Sequence, residues 1–308
     1  MATPPKPPLS RETLGLALGL TGVVIFGATL PMTRLALDAF SPWFVTFGRA
    51  VLASGAAGLL LLALGKRLPR GDLAPLMLAG LLLVFGFPVL SSLAMQTVPA
   101  SHGGVVLGVL PLLTSIFAAL IGGERPSAWF WICGVAGTAL VIAFAIRDSG
   151  MTLAAGDIWL FLAAIAASLG YVISGKLARK MPGWEVICWA LALTAPGSIV
   201  GVMMSFPHDL ASAEAPAVLA LLYLSFGSMF LGFFAWNVGL AWGGIARVSQ
   251  VQLLQGFITI AISAAVLGEE IGFETLLFAA AVLIVVAAGR KAQVASKRPS
   301  SYAKREAG

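Results

Sequence analysis

Charged and titratable side chains are scarce in this sequence. Its 308 residues contain 13 Asp and Glu and two His, and charged residues of both signs make up 10% of the chain, against about 25% in a soluble domain. A chain with so few charges has too little polar surface for water, which excludes a soluble globular protein. The two cysteines, Cys133 and Cys188, lie far apart inside apolar runs, so a disulfide framework and a cysteine metal cluster are excluded as well.

Sequence motifs of the main enzyme and pump classes are also missing. The chain has no Walker motif for ATP and no HExxH motif for a catalytic zinc ion. It also lacks the paired intramembrane Asp of an aspartyl protease and the intramembrane Ser and His of a rhomboid-type protease. We therefore expect no catalytic residues, no cofactor and no metal site, and a membrane-embedded enzyme stays only as the alternative class.

Apolar residues take the place of the missing charges. They make up 59% of the chain and form runs long enough to cross a bilayer core, which takes roughly 20 residues per helix. Cutting the sequence at its polar breaks gives ten segments, at about 14–33, 42–64, 73–96, 100–121, 127–146, 157–175, 183–206, 215–238, 247–267 and 272–289. The sequence thus predicts an all-α polytopic membrane protein with ten transmembrane helices, and none of the ten segments resembles a strand.

Lysine and arginine are distributed unevenly between the two sides of this bundle. With both termini in the cytoplasm, 16 of the 19 basic residues fall on the cytoplasmic side, Arg34 and Arg147 fall outside, and Arg49 lies within the second segment. Because basic residues near helix ends stay in the cytoplasm, we expect this orientation in a bacterial-type inner (plasma) membrane. Residues 1–13 then form a cytoplasmic N-terminal segment and residues 290–308 a basic cytoplasmic tail. This bias explains the net charge of +6, so the charge does not indicate a nucleic-acid partner.

The second half of the sequence repeats the first. A shift of 145 positions aligns the third to fifth segments with the eighth to tenth without a gap, and it brings Gly123-Glu124 onto Gly268-Glu269 at the same helix end. Residues 14–147 and 157–289 therefore form two five-helix repeats. Because five is odd, the repeats enter the membrane in opposite senses, and many secondary transporters use such inverted repeats to alternate between two membrane faces. A duplication that only enlarged a stable bundle is the alternative.

Short motifs at matching helix positions carry a resemblance to a known family. The first half has Phe26-Gly27-Ala28 with Arg34, Pro42 with Arg49, and Ala100-Ser101 through Pro111 to Gly123-Glu124. The second keeps Gly170 with Lys176 and Gly268-Glu269, but has Gly256 where the first has Pro111. Over residues 14–289 the chain resembles the EamA-type, ten-helix branch of the drug/metabolite transporter superfamily, and within it the YddG-type amino-acid exporters. The resemblance implies an exporter of aromatic and other neutral amino acids or related small metabolites.

The ninth segment carries a polar stripe. Its polar residues recur at intervals of three or four and so lie along one face of a helix; they are Ser249, Gln252, Gln255, Thr259 and Ser263. Lipid cannot satisfy a glutamine amide, so this face should point into the bundle or toward a water-filled cavity. An interhelical hydrogen-bond seam is the alternative, and the two glutamines favour a wall that contacts substrate.

Further candidate substrate contacts lie on neighbouring helices. We expect Ser168 and Tyr171 of the sixth segment and Trp236 and Asn237 of the eighth to face the polar stripe, because an aromatic ring and an amide can hold a small amphipathic solute. For Trp236 alone, an interfacial anchor near the cytoplasmic end is the more ordinary role. Ser92 occupies the inverted counterpart in the first half.

A few charged or titratable residues fall within or beside the spans. Arg49 is a functional candidate because an intramembrane charge is costly. We expect it to form a structural or gating ion pair with Glu269, and direct binding of substrate is the alternative. Glu124 is the matching residue in the first repeat. His102 opens the fourth segment and could sense pH, since its ordinary pKa lies near 6.5, although a hydrated interface residue is the simpler interpretation.

These features favour a secondary transporter that exports small metabolites by alternating access, as a monomer or homodimer in the lipid bilayer. No acidic residue is expected deep within the first nine segments, which argues against a carboxylate proton relay and favours downhill facilitation. A multidrug or other metabolite exporter of the same superfamily is the nearest alternative. A passive channel would not need an inverted repeat.

Overall fold

A computed structural model describes residues 10–121, 123–148, 154–290 and 294–296. Within these residues the chain forms ten helices in the order that the apolar segments predict. They are α1 (Arg11–Ala36), α2 (Pro42–Ala63), α3 (Arg70–Ala94), α4 (Ala100–Leu120), α5 (Ala128–Asp148), α6 (Ala155–Leu177), α7 (Gly183–Ser205), α8 (Ala215–Gly243), α9 (Ile245–Leu267) and α10 (Phe273–Arg290). The first two begin at serine N-caps, where the hydroxyls of Ser10 and Ser41 each accept a hydrogen bond from the amide three residues on.

Eight of these helices, α1 to α4 and α6 to α9, are long and apolar enough to cross a membrane by length and composition. In α10 the described apolar stretch is shorter, Phe273–Val285, and α5 occupies the place of the fifth predicted segment. The prediction of an all-α polytopic membrane protein is therefore confirmed. The main shifts in bounds are at α3, which begins at Arg70, and at α8, which continues to Gly243 and ends where Gly244 adopts a φ of 86°.

Two three-residue strands lie outside the ten predicted segments. Strand β1 (Glu124–Pro126) pairs antiparallel with β2 (Val294–Ser296), with Arg125 opposite Ala295. The last described residues of the predicted tail therefore lie against the connection between α4 and α5. The rest of residues 290–308 beyond β2, and residues 1–9, lie outside the described part of the chain.

The helices pack in pairs that follow the internal repeat. Helix α1 packs against α8, and its repeat counterpart α6 packs against α3, the counterpart of α8. Further large contacts join counterparts to each other, namely α2 with α7, α4 with α9, and α5 with α10, and the contact of α1 with α9 corresponds to that of α6 with α4. A two-fold relation between residues 14–147 and 157–289 produces this pattern, because each contact maps onto itself or onto another observed contact when the halves are exchanged.

The contact between α1 and α8 depends on glycine. A β-carbon on Gly15 would lie 2.5 Å from the backbone nitrogen of Gly243, and one on Gly239 would lie 2.8 Å from that of Gly19. Small residues allow two membrane helices to approach to backbone contact, where dispersion and close packing replace the hydrophobic effect that lipid cannot supply. A larger residue at Gly15 or Gly239 would therefore push the two helices, and hence the two halves, apart.

Irregular turns occur at matching places in the two repeats. Helix α3 contains a π-helical segment at Leu81–Gly86, and α8 contains one at Tyr223–Leu231. The shift of 145 positions moves the first of these to 226–231, inside the second. Helices α4 and α9 likewise contain 3-10 turns at Leu107–Val109 and Gln250–Gln252. Such departures from α-helical geometry are common at functional sites, and they show that the repeat extends to the backbone.

Candidate functional site: a closed cavity between the two repeats

A small cavity lies in the middle of the bundle, where the irregular segments meet. Six helices line it, α1 to α3 from the first repeat and α6, α8 and α9 from the second, through Phe26, Thr29, Arg49, Leu83, Phe87, Tyr171, Ser228, Phe233 and Gln255. Its volume is about 20 Å³, which is room for about one water molecule. The cavity must therefore widen before it can hold a metabolite.

Arg49 is the charged group of this cavity. Its side chain is 2% exposed, and its one hydrogen bond runs from Nη2 to Oγ of Ser228, at 3.4 Å. The same hydroxyl lies 2.9 Å from Oγ1 of Thr29. Nε and Nη1 of Arg49 have no hydrogen-bond partner in the described part of the chain. A guanidinium that is buried in this way has given up its hydration without gaining a counter-ion.

The expected ion pair between Arg49 and Glu269 is not formed. Instead, the Glu269 carboxylate accepts hydrogen bonds from the backbone amides of Ala100 and Ser101, at 2.8 and 2.9 Å. These amides belong to the first turn of α4, whose unpaired N–H groups and positive dipole end attract a carboxylate. Gly268, with a φ of 67°, turns the chain at the end of α9 and so places Glu269 against α4.

Glu124 is the repeat counterpart of Glu269. It follows Gly123, which has a φ of 75° and repeats the left-handed turn of Gly268. The backbone of Glu124 belongs to strand β1, opposite Ser296. Its side chain lies outside the described residues, so its matching gating role stays a prediction.

The polar stripe of α9 faces the bundle interior, and all five of its side chains are buried. The hydroxyls of Ser249 and Thr259 form local and interhelical bonds, as from Oγ1 of Thr259 to the Gly27 carbonyl, at 2.7 Å. Oγ of Ser263 has no partner in the described residues. The glutamines differ, because both amide atoms of Gln252 and Oε1 of Gln255 have no partner in the described part of the chain. The stripe is therefore a hydrogen-bond seam at Ser249 and Thr259, while Gln255 opens onto the cavity.

An aromatic cluster forms the wall beside Gln255. The ring centroid of Phe26 lies 5.0 Å from that of Phe233 and 6.0 Å from that of Trp236. The ring centroid of Tyr171 lies 5.2 Å from that of Trp236. Trp236 is fully buried, so it is not the interfacial anchor that its position near a helix end suggested. Its Nε1 has no partner in the described part of the chain. These rings offer an apolar surface with a polar edge next to Arg49.

The remaining predicted contacts lie away from the cavity. Oγ of Ser168 donates to the carbonyl of Leu110, at 3.3 Å, and Nδ2 of Asn237 donates to the carbonyl of Gly183, at 3.1 Å. Both bonds join helices, which is a structural role. Ser92 is fully buried, and its hydroxyl has no partner in the described residues. The sequence pattern finds the right helices but not which of their residues reach the centre.

His102 belongs to a buried pair that the sequence did not predict. Its Nε2 lies 2.6 Å from Oδ1 of Asp157, and the two side chains are 3% and 5% exposed. The other oxygen of Asp157 accepts from the backbone amide of Ala154 at the start of α6. His102 is thus not a hydrated interface residue. Asp157 lies in the first turn of α6, where an acidic residue typically marks the start of a helix. This pattern does not indicate which other helix supplies its partner.

Contacts between helices close the bundle on both sides of the cavity. At the end that we call the basic end, where α2 meets α3 and α6 meets α7, ion pairs join Lys66 to Glu185 at 2.5 Å and Lys180 to Asp72 at 2.7 Å. At the opposite end, Glu269 holds the start of α4, and Nη1 of Arg34 donates to the carbonyl of Met95. Contacts between helices therefore join the bundle at both ends.

Comparison with known proteins agrees with this architecture. The EamA-like transporter family matches residues 13–146 and again residues 154–288, the two repeats in turn. A solved crystal structure has a TM-score of 0.69 at 21% identity, and the match covers 92% of this chain and 99% of that one. This likeness supports the fold alone.

Several curated relatives are named as transporters. The transporter YdeK of Bacillus subtilis is 40% identical over 92% of this chain and 99% of its own. A probable terminal-alkyne amino-acid exporter of Streptantibioticus cattleyicolor is 28% identical over 82% of this chain and 85% of its own. The aromatic amino acid exporter YddG of Ancylobacter novellus is 24% identical over 77% and 83%. These matches confirm the resemblance on which the sequence interpretation rests.

Proposed function

The chain belongs to the EamA-like transporter family, and from this premise we propose that it exports neutral amino acids, aromatic ones included, or related small metabolites by alternating access. It is a membrane transporter and not an enzyme. The amino-acid class is supported by the names of two relatives and by a central wall of aromatic rings and amides that suits an amphipathic solute.

The observation that carries the proposal is the position of the cavity. Three helices of each repeat line it, and separate sets of contacts close it toward the two ends of the bundle. A site on the axis between two inverted halves can open to either side by a similar rearrangement of one half against the other. Opening at one end breaks ion pairs, and opening at the other breaks the contact between Glu269 and α4.

The orientation is part of the proposal. With both termini in the cytoplasm of a bacterial inner membrane, the basic end is the cytoplasmic end, as the excess of lysine and arginine in its loops supports. Arg247 at the start of α9 pairs with Glu12 at the start of α1 on this side, at 2.7 Å. The end of the bundle at Glu269 then faces outward. In export, the solute leaves the cavity when this end opens.

Substrate counterflow in proteoliposomes tests the transport mechanism. Vesicles loaded with unlabelled neutral amino acids should take up a labelled amino acid faster than empty vesicles, because a carrier returns across the membrane more readily when it is loaded. A channel would show no such stimulation. If the purified protein moves no amino acid either down an imposed gradient or in exchange, the amino-acid assignment is wrong.

Proton movement is the second readout. Facilitated diffusion predicts that substrate flux leaves an imposed pH gradient intact. The buried pair of His102 and Asp157 is the place to look if the gradient collapses in proportion to flux, since no other pair of this kind lies in the described part of the chain. Stoichiometric collapse would contradict facilitation and leave the substrate class standing.

A further inference from the structure

Arg49 carries a charge that the described part of the protein does not neutralise. No acidic side chain there forms an ion pair with it, and two of its three nitrogens have no hydrogen-bond partner. A buried, unpaired guanidinium is among the most unfavourable groups that a folded chain can contain, and removing such a group commonly stabilises the protein. The group is therefore not explained as a stabilising contact.

The guanidinium also lies where a transported solute would pass. It lines the central cavity together with Tyr171 and Gln255. We propose that Arg49 binds the carboxylate of the transported solute, so that the cavity selects solutes in which a carboxylate is joined to a compact apolar body. This inference rests on the proposed transport function and narrows its substrate class.

The donors of Arg49 suit this role. Each planar fork that binds a carboxylate through two parallel hydrogen bonds pairs Nη2 with either Nε or Nη1. Nη2 carries two N–H groups, and Nε and Nη1 have no partner in the described part of the chain, so one fork stays available beside the bond to Ser228. Nη2 is held by Ser228, which in turn contacts Thr29. The guanidinium is thus anchored on one side and open on the other.

The rest of the cavity provides partners for the other parts of such a solute. Oε1 of Gln255 has no partner and can accept a hydrogen bond from an ammonium or amide N–H group. Phe26, Tyr171 and Phe233 provide the apolar surface. A zwitterionic α-amino acid matches all three features, whereas an amine without a carboxylate leaves Arg49 unpaired in a closed cavity.

Matched acid and amide substrates test the proposal in proteoliposomes. The wild-type protein should transport phenylalanine with an apparent KM well below that for phenylalaninamide, in which the carboxylate is replaced. Arg49→Met should raise the KM for the acid about 10- to 100-fold, the loss expected for hydrogen bonds to a charged group, and change the KM for the amide little. Arg49→Lys keeps the charge but not the fork and should fall between. Arg147→Met, which removes an exposed arginine paired with Glu274, should leave both values unchanged.

Thermal stability separates a binding role from a structural one. Without solute, Arg49→Met should melt at a higher temperature than the wild type, because the unpaired charge is gone. A structural role predicts a lower one. In wild-type protein in chloride-free buffer, phenylalanine should raise the melting temperature and phenylalaninamide should not. This last measurement uses the wild-type protein alone, so it does not depend on whether a variant folds.

Four results would overturn the inference, and a fifth would overturn the proposed function. Equal stabilisation of the wild type by the acid and the amide, or unchanged acid selectivity in Arg49→Met, would show that the carboxylate is not recognised there. Stabilisation by chloride but not by the acid would identify an inorganic anion site. If the wild type transports both solutes equally well, carboxylate recognition fails while the proposed transport function stands. If it transports neither, the proposed function itself fails.

Discussion

The two walls of the cavity have the same backbone and different side chains. The shift of 145 positions that relates the repeats pairs Leu83 with Ser228 and Leu110 with Gln255, and three of these four residues line the cavity. The π-helical and 3-10 segments around them recur at equivalent places. The first repeat thus presents three apolar side chains together with Thr29 and Arg49, and the second presents Phe233 together with two hydroxyls and an amide.

This difference separates what the mechanism requires from what recognition requires. Opening to either side needs two halves that can rearrange in similar ways, so the places where the helices bend are duplicated. A small asymmetric solute needs unlike partners at its two ends, so the side chains on the axis have diverged. The predictions that follow disturb first the shared backbone and then the unlike side chains.

The largest effect should come from filling the close contact between α4 and α9. A β-carbon at Gly256 would lie 2.9 Å from the backbone oxygen of Gly104. Gly256→Val should therefore cost about 1–3 kcal/mol in folding free energy, as overpacking does, and abolish transport. The control is Gly55→Val on α2, where no atom lies within 4 Å of the added β-carbon. Melting temperature and counterflow rate measure both, and equal behaviour of the two variants would contradict the packing.

A smaller effect on melting temperature and transport rate is expected at the end of α9, where Gly268-Glu269 repeats Gly123-Glu124 of the first repeat. Glu269→Gln removes the charge from two hydrogen bonds to the start of α4, and hydrogen bonds to charged groups contribute about 1.5–3 kcal/mol. We expect a lower melting temperature and a changed transport rate, because this end of the bundle closes less firmly. The neighbouring Glu270→Gln, at an exposed position, should change neither. A Glu269→Gln variant with wild-type stability and rate would remove this residue from the closure.

The smallest effect should come from making the second wall resemble the first. Gln255→Leu places there the residue that Leu110 provides in the first repeat, and loss of one hydrogen bond of about 1 kcal/mol predicts a rise in KM of about fivefold. Gln252→Leu, away from the cavity, should raise the melting temperature by removing a buried amide without partners and change KM less. If Gln252→Leu has the larger effect on KM, the cavity extends further along α9 than its present lining.

The sequence predicts what is periodic or repeated, and it fails where two helices must be placed against each other. Apolar runs give the helices, the shift of 145 positions gives the repeat, and the spacing along α9 gives a buried face. The prediction that Arg49 pairs with Glu269 is wrong, because the depth of a residue in the membrane does not determine which neighbouring helix its side chain faces. For the same reason the sequence does not predict the contact between His102 and Asp157. The pairing of β1 with β2 was missed because three residues carry too little pattern.

Access to the cavity from the two sides of the membrane is the most direct test of alternating access. Thr29 is buried in the cavity wall, so Thr29→Cys, with the buried Cys133 and Cys188 replaced by alanine, creates one reporter thiol there. Alternating access predicts that a membrane-impermeant thiol reagent labels this cysteine in right-side-out and in inside-out vesicles. A transported amino acid should slow labelling in both. Labelling from one side only, or labelling that no amino acid slows, would contradict an alternating central site.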